Sequence, residues 1–243
     1  MRRPTSLAVI ALLTLALAGC TGEPVPGDTP TPDDPSPTPT ATSTDPADDP
    51  GDLPGEPYDV GPEAGARLGV VGVEASDVLN LRSGPGVGSD VVAELAPLEA
   101  DVIATGRSRI EGRAVWVEAE VDGVTGWANF RYLGYLADTD DVTYRISEAS
   151  ASSYEGAADR AIEQLYPDAG DLTVTVVDGP HEGVIGEVTS PGDITVDVLG
   201  FGDDSVLGVR LHVFATPDGG AITVRNVELT TICARGVDDG LCV

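Results

Sequence analysis

Two histidines, three cysteines and no lysine bound the chemistry open to this 243-residue chain. Without lysine there is no Schiff-base amine and no phosphate-loop lysine. His181 opens the run His-Glu-Gly-Val-Ile-Gly-Glu, so Glu182 and Glu187 could join it on a metal ion. That run reads as a turn, however, and not as the helix that aligns both ligands in His-Glu-x-x-His. His212 alternates with Leu211 and Val213, which places it on the polar side of a strand. A nucleophilic triad is not expected, since both downstream cysteines look committed to each other and no Gly-x-Ser-x-Gly occurs. The carboxylate pairs Asp203-Asp204 and Asp238-Asp239 sit in turn-like stretches, where Asp bonds the backbone, and neither follows calcium-loop spacing. The expectation is a chain with no catalytic site, no metal site and no cofactor.

Sulfur chemistry is more legible. Cys233 and Cys242 bracket the short run CARGVDDGLC. In an exported chain such a pair reads as a disulfide. The alternatives, a redox pair or a metal site, want closer cysteines or a nearby histidine. Export itself is read from the first twenty residues. Arg2 and Arg3 supply a positive start, and Leu7 to Leu17 is an apolar run too short to span a bilayer. Leu17-Ala18-Gly19-Cys20 follows. This tetrad resembles the lipobox of bacterial lipoproteins. The resemblance implies that residues 1–19 are a signal peptide and that Cys20 carries a diacylglyceryl group as the mature N-terminus. Its acyl chains would moor the protein to the membrane. The expected location is extracytoplasmic, on the cell envelope.

The formal net charge is −28. Such a surface repels phosphate backbones and anionic headgroups, so nucleic acid is excluded as a partner. Residues 20–66 form an acidic, Pro/Thr-rich segment. Thr21 to Gly65 holds 12 of the 19 prolines and no basic residue. It has too little apolar surface to offset the entropy of ordering it, so a disordered linker is expected. Some 45 residues at about 3.1 Å each would reach roughly 140 Å when fully extended.

Short β-type runs begin at Leu68. Gly69–Val73, Val78–Leu81, Val91–Leu95, Asp101–Thr105, Ala114–Val121 and Trp127–Leu133 are separated by turn residues. Asp122-Gly123 marks a hairpin. Within this region the stretch Asp77-Val78-Leu79-Asn80-Leu81-Arg82-Ser83-Gly84-Pro85-Gly86 stands out, followed by Trp116-Val117-Glu118 and by Gly126-Trp127-Ala128 before Tyr132-Leu133. These pieces, in this order, resemble the bacterial SH3 domain. The resemblance implies an SH3-like barrel over 67–137 and a shallow groove for extended peptide. Asn80, Arg82, Trp127, Phe130 and Tyr132 are the candidate groove residues, while Trp116 is assigned to the core.

Residues 138–243 read as a second domain. Asp138-Thr139-Asp140-Asp141 looks like an acidic link, and Val142–Ile146 like a strand. Ala158, Ala161, Ile162 and Leu165 lie near one face of a helix over 152–166, with Ser152 or Ser153 as cap and Pro167 beyond its end. Strands are expected at Leu172–Val177, Ile194–Leu199, Val206–Ala215 and Ala221–Ile232, the last two joined at Asp218-Gly219-Gly220. The expected fold is therefore multidomain: a small all-β SH3-like barrel, then an α+β domain with one helix on its own antiparallel sheet.

The functional expectation is a lipid-anchored, non-catalytic adaptor that binds peptidoglycan peptide or an envelope protein. Two rivals stand beside it. One is a cell-wall hydrolase with the barrel as targeting module. The other is a sensor or regulatory subunit of an envelope complex.

Overall fold

The computed structural model describes residues 53–167, 170–182 and 191–243. The expected signal peptide, Cys20, the part of the expected linker before residue 53 and Glu187 lie outside them. In chain order the strands are β1 (Glu56–Pro57), β2 (Arg67–Val70), β3 (Leu79–Arg82), β4 (Val91–Leu95), β5 (Val102–Glu111), β6 (Ala114–Val121), β7 (Val124–Asn129), β8 (Leu133–Asp141) and β9 (Ser150–Ala151). The helix α1 (Tyr154–Leu165) comes next. Then follow β10 (Thr173–His181), β11 (Gly192–Leu199), β12 (Val206–Asp218), β13 (Ala221–Cys233), β14 (Val237–Asp238) and β15 (Leu241–Cys242).

Local signals act as elementary chemistry requires. Asp122 and Gly123 both take positive φ, 51° and 79°, and turn β6 into β7. Gly219 and Gly220 do the same between β12 and β13. The Ser153 hydroxyl accepts from the Gly156 N–H at 3.1 Å and caps α1. The helix buries Ala158, Ala161, Ile162 and Leu165.

The expected division into a separate barrel and an α+β domain with its own sheet is overturned. One 13-stranded antiparallel sheet runs β10-β11-β12-β13-β8-β2-β5-β6-β7-β3-β4, with β1 added to β5 and β9 to β13. The described residues belong to one compact unit. The cause lies in β8. Its start pairs with β2, as Val70 with Leu133 and Gly69 with Gly134. Its remainder pairs with β13, as Ile232 with Leu136, Thr230 with Thr139 and Glu228 with Asp141. The acidic run Asp138–Asp141, which composition assigns to a link, is therefore strand. Its charges project from an exposed ribbon whose backbone groups are paired. Val142–Ile146, expected as strand, instead holds a 3₁₀ turn over Thr143–Arg145. The Asp141 carboxylate accepts from the Thr143 N–H, and such a side-chain bond favours a turn over a ladder.

Two apolar clusters lie along this sheet. One gathers Leu68, Val70, Leu81, Val102, Val117 and Leu133. The other packs α1 on Ile194, Val196, Leu211, Val213 and Val227. At the seam the paired glycines Gly69 and Gly134 leave room for Leu136 and Ile232, whose side chains occupy the space a Cβ would need.

A buried ion pair also joins the two regions. Asp197 on β11 is fully buried. Arg210 on β12 grips it with two bonds, Nε to Oδ1 at 2.7 Å and a terminal nitrogen to Oδ2 at 2.9 Å. That guanidinium also donates to the Val70 carbonyl at 2.7 Å, and Asp197 accepts from the Gly72 N–H at 2.8 Å. Planar forked geometry of this kind is what Arg provides.

Residues 53–66, read as the end of the linker, lie against β5. Glu56 and Pro57 pair with Ile110 and Arg109. The Arg109 side chain donates to the carbonyls of Leu53, Pro54 and Gly55. The Cys233–Cys242 disulfide is present and ties β15 to the end of β13.

Candidate functional site

The five residues assigned to a groove do not share one surface. Asn80, Arg82 and Tyr132 line a single cleft of about 410 Å³, together with Glu74, Asp77, Val87, Trp116 and Asn129. Asn80 and Arg82 reach it because β3 alternates, burying Leu79 and Leu81 and turning the two polar residues the other way. Tyr132 comes from the 3₁₀ turn Phe130–Tyr132, which Asn129 caps by accepting from the Arg131 N–H at 3.0 Å. Arg82 donates to the Ser89 carbonyl at 2.8 Å and so fixes the Ser83–Asp90 loop at the rim.

Trp127 lies elsewhere. It is 2% exposed, and the Arg107 guanidinium sits 5.5 Å from its ring centroid. Arg107 is held there by Glu118 at 2.7 Å. Phe130 borders another depression, of about 920 Å³, with Tyr135 and Leu136. Burial and the nearby Glu63 carboxylate both raise the Tyr135 hydroxyl above its ordinary pKa.

Trp116 is 3% exposed, as expected of core, yet it also lines the cleft. Its indole Nε1 is buried and has no hydrogen-bond partner among the described residues. A buried indole N–H without an acceptor is costly, since it has given up water for nothing. No pattern in the sequence distinguishes a satisfied core tryptophan from this one.

The cleft can offer the carboxamides of Asn80 and Asn129 to carbonyl or carboxylate oxygens. Glu74 and Asp77 stand on the same lining and suit an amine. Val87, 79% exposed, and Tyr132 supply apolar contact.

A second cluster lies on the β10–β13 end of the sheet. His181 Nε2 is 2.9 Å from Asp178 Oδ2, and His212 Nε2 is 2.8 Å from Asp193 Oδ2. His181 is drawn above its ordinary pKa, first by the hydrogen bond to Asp178 and then by the charges of Asp178 and Asp193. His212 faces away from the buried Leu211 and Val213, as its alternation implies. Sequence reasoning looked for partners of His181 at Glu182 and Glu187. The structure instead supplies Asp193, which sits opposite His181 across the β10–β11 pairing. Register between strands eleven residues apart leaves no trace in local spacing.

No catalytic arrangement of Ser or Cys with His is found among the described residues, and Cys233 and Cys242 are bonded to each other. No family model, curated protein or solved structure matches this chain.

Proposed function

We propose that the chain is a lipid-anchored protein of the bacterial cell envelope, held by a diacylglyceryl group on Cys20. We assign it a binding role without catalysis. Its ligand is an extended peptide of the cell wall or of a neighbouring envelope protein. The Leu17-Ala18-Gly19-Cys20 tetrad and the preceding apolar run support the anchor. The cleft of Asn80, Arg82, Trp116 and Tyr132 is the ligand site. The observation that carries it is the shared cleft, where the polar side chains of Asn80, Arg82 and Asn129 stand with Tyr132 and the carboxylates of Glu74 and Asp77. A peptide carbonyl or terminal carboxylate would accept from the carboxamides of Asn80 and Asn129. Peptides with a free amine would meet Glu74 and Asp77. The acidic Pro-rich segment is then the stalk between lipid and cleft.

The test uses the chain from Cys20 onward, because β8 is shared by both ends of the sheet and an isolated 67–137 piece would lose its β13 pairing. Co-sedimentation with purified peptidoglycan is expected, and Tyr132→Ala is expected to weaken it by about tenfold or more. Equal retention of the variant, or no retention of either protein by wall or membrane fraction, would refute the reading.

A further inference from the structure

We propose that Asp178, His181 and Asp193 form a binding site for a divalent transition-metal ion of the zinc type, with His212 as the group that positions Asp193. One ligand atom from each of the three residues lies within 4.8 Å of the others. Four-coordinate zinc with bonds of about 2.1 Å needs ligand atoms about 3.4 Å apart, which modest side-chain rotation reaches.

The fold builds this juxtaposition. In a regular strand Asp178 and His181, three apart, would face opposite sides. The β10–β11 pairing is irregular between Val176 and Asp178 and again between Asp178 and His181, and Gly179 takes φ +81° within that stretch. The bulge re-aims His181 to the side of Asp178, a known use of bulges. The pairing of His181 with Asp193 brings in the third group. Asp193 lies on the face of β11 opposite the buried Ile194.

His212 on β12 then acts behind Asp193. Its Nε2–H donates to Asp193 Oδ2 at 2.8 Å, which leaves the other carboxylate oxygen for an ion. Its second ring nitrogen faces Glu228 of β13 at 4.0 Å. A carboxylate ligand steadied by a second group is the usual outer arrangement of a metal centre. Both histidines of the chain therefore converge on one patch, although 30 residues separate them in sequence.

The donor set selects the class of ion. One imidazole and two carboxylates suit zinc and its neighbours, whereas calcium wants six to eight oxygens. Three protein ligands leave a fourth position facing solvent, since His181 is exposed. The strongly negative chain also raises the local concentration of any cation.

The test is calorimetric titration of the full chain from residue 20, carrying Cys20→Ser, with ZnCl₂. One ion per chain is expected. Binding should fall more than 100-fold in His181→Ala, and about 10- to 100-fold in His212→Ala. Asp203→Asn, an acidic loop change elsewhere, should leave it unaltered. Circular dichroism of each variant confirms that the sheet persists. Absence of zinc binding would overturn the site. So would equal weakening by Asp203→Asn, or matching affinity for Zn²⁺ and Ca²⁺, since both describe diffuse attraction to acidic groups.

Discussion

Replacing Arg210 by Met should be among the most damaging single changes at the joint between the two halves of the sheet. The perturbation removes the cation that faces Asp197, which is fully buried. It also strips a donor from the Val70 carbonyl. Removing one partner of a buried pair costs about 3–5 kcal/mol, because a charge remains in a medium that cannot solvate it. For a folded part of this size the urea slope lies near the top of the range of about 1–3 kcal/mol per molar. The midpoint should therefore fall by about 1–2 M. Asp197→Leu combined with Arg210→Met should cost less than the sum of the two single changes, since it leaves no charge buried alone. It still leaves the Gly72 N–H and Val70 carbonyl without their present partners, at about 1–3 kcal/mol each. Urea unfolding followed by circular dichroism reads both quantities, and the cycle of single and double variants isolates the coupling. An Arg210→Met midpoint within about 0.3 M of the parent would refute the reasoning. So would separate unfolding steps for the two apolar clusters in the parent protein.

Four further outcomes follow from the same structure. Gly134→Val should cost about 1–3 kcal/mol in thermal or urea unfolding, because its side chain would enter the volume of Ile232. Removing the disulfide with Cys233→Ser and Cys242→Ser should cost about 2.7 kcal/mol by loop closure, with exchange protection lost first in β14 and β15. Asp203 accepts from the N–H groups of Val206 and Ser205, which holds its carboxyl below the ordinary 3.8, and Thr143 does the same for Asp141. A folded-state pKa below the unfolded value contributes stability present above the unfolded value and lost as pH falls through the folded one. NMR titration should place both midpoints under 3.8, and Asp203→Asn should flatten that part of the acid limb. Mass analysis of the membrane-extracted protein should find a chain beginning at lipidated Cys20, and an intact Met1–Gly19 leader would contradict the anchor.

Much of the fold is written locally and was legible for that reason. β4 and β6 match their sequence-read bounds, since alternation and turn residues act within a few positions. The Ser153 cap, the Asp122-Gly123 turn and the Cys233–Cys242 bond rest on short-range chemistry too. What escaped was long-range. The run Asp138–Asp141 has the composition of a linker, but its backbone is claimed by β13, some 90 residues later. That pairing fuses what composition divides. Trp127 reads as a groove aromatic until Arg107, held by Glu118, is seen to lie over its ring. Asp193 was invisible as a partner of His181 because a bulge and a strand register, not spacing, bring them together.

The chain holds only two tryptophans, so its indole N–H groups give two resonances in a nitrogen-correlated NMR spectrum. Titrating the full chain with a wall stem peptide tests the binding role most directly. The Trp116 indole resonance should shift as peptide fills the cleft that this residue lines, while that of Trp127, held under Arg107, stays in place. A Trp116 resonance that does not shift at saturating peptide, or that shifts identically in Tyr132→Ala, would contradict the account.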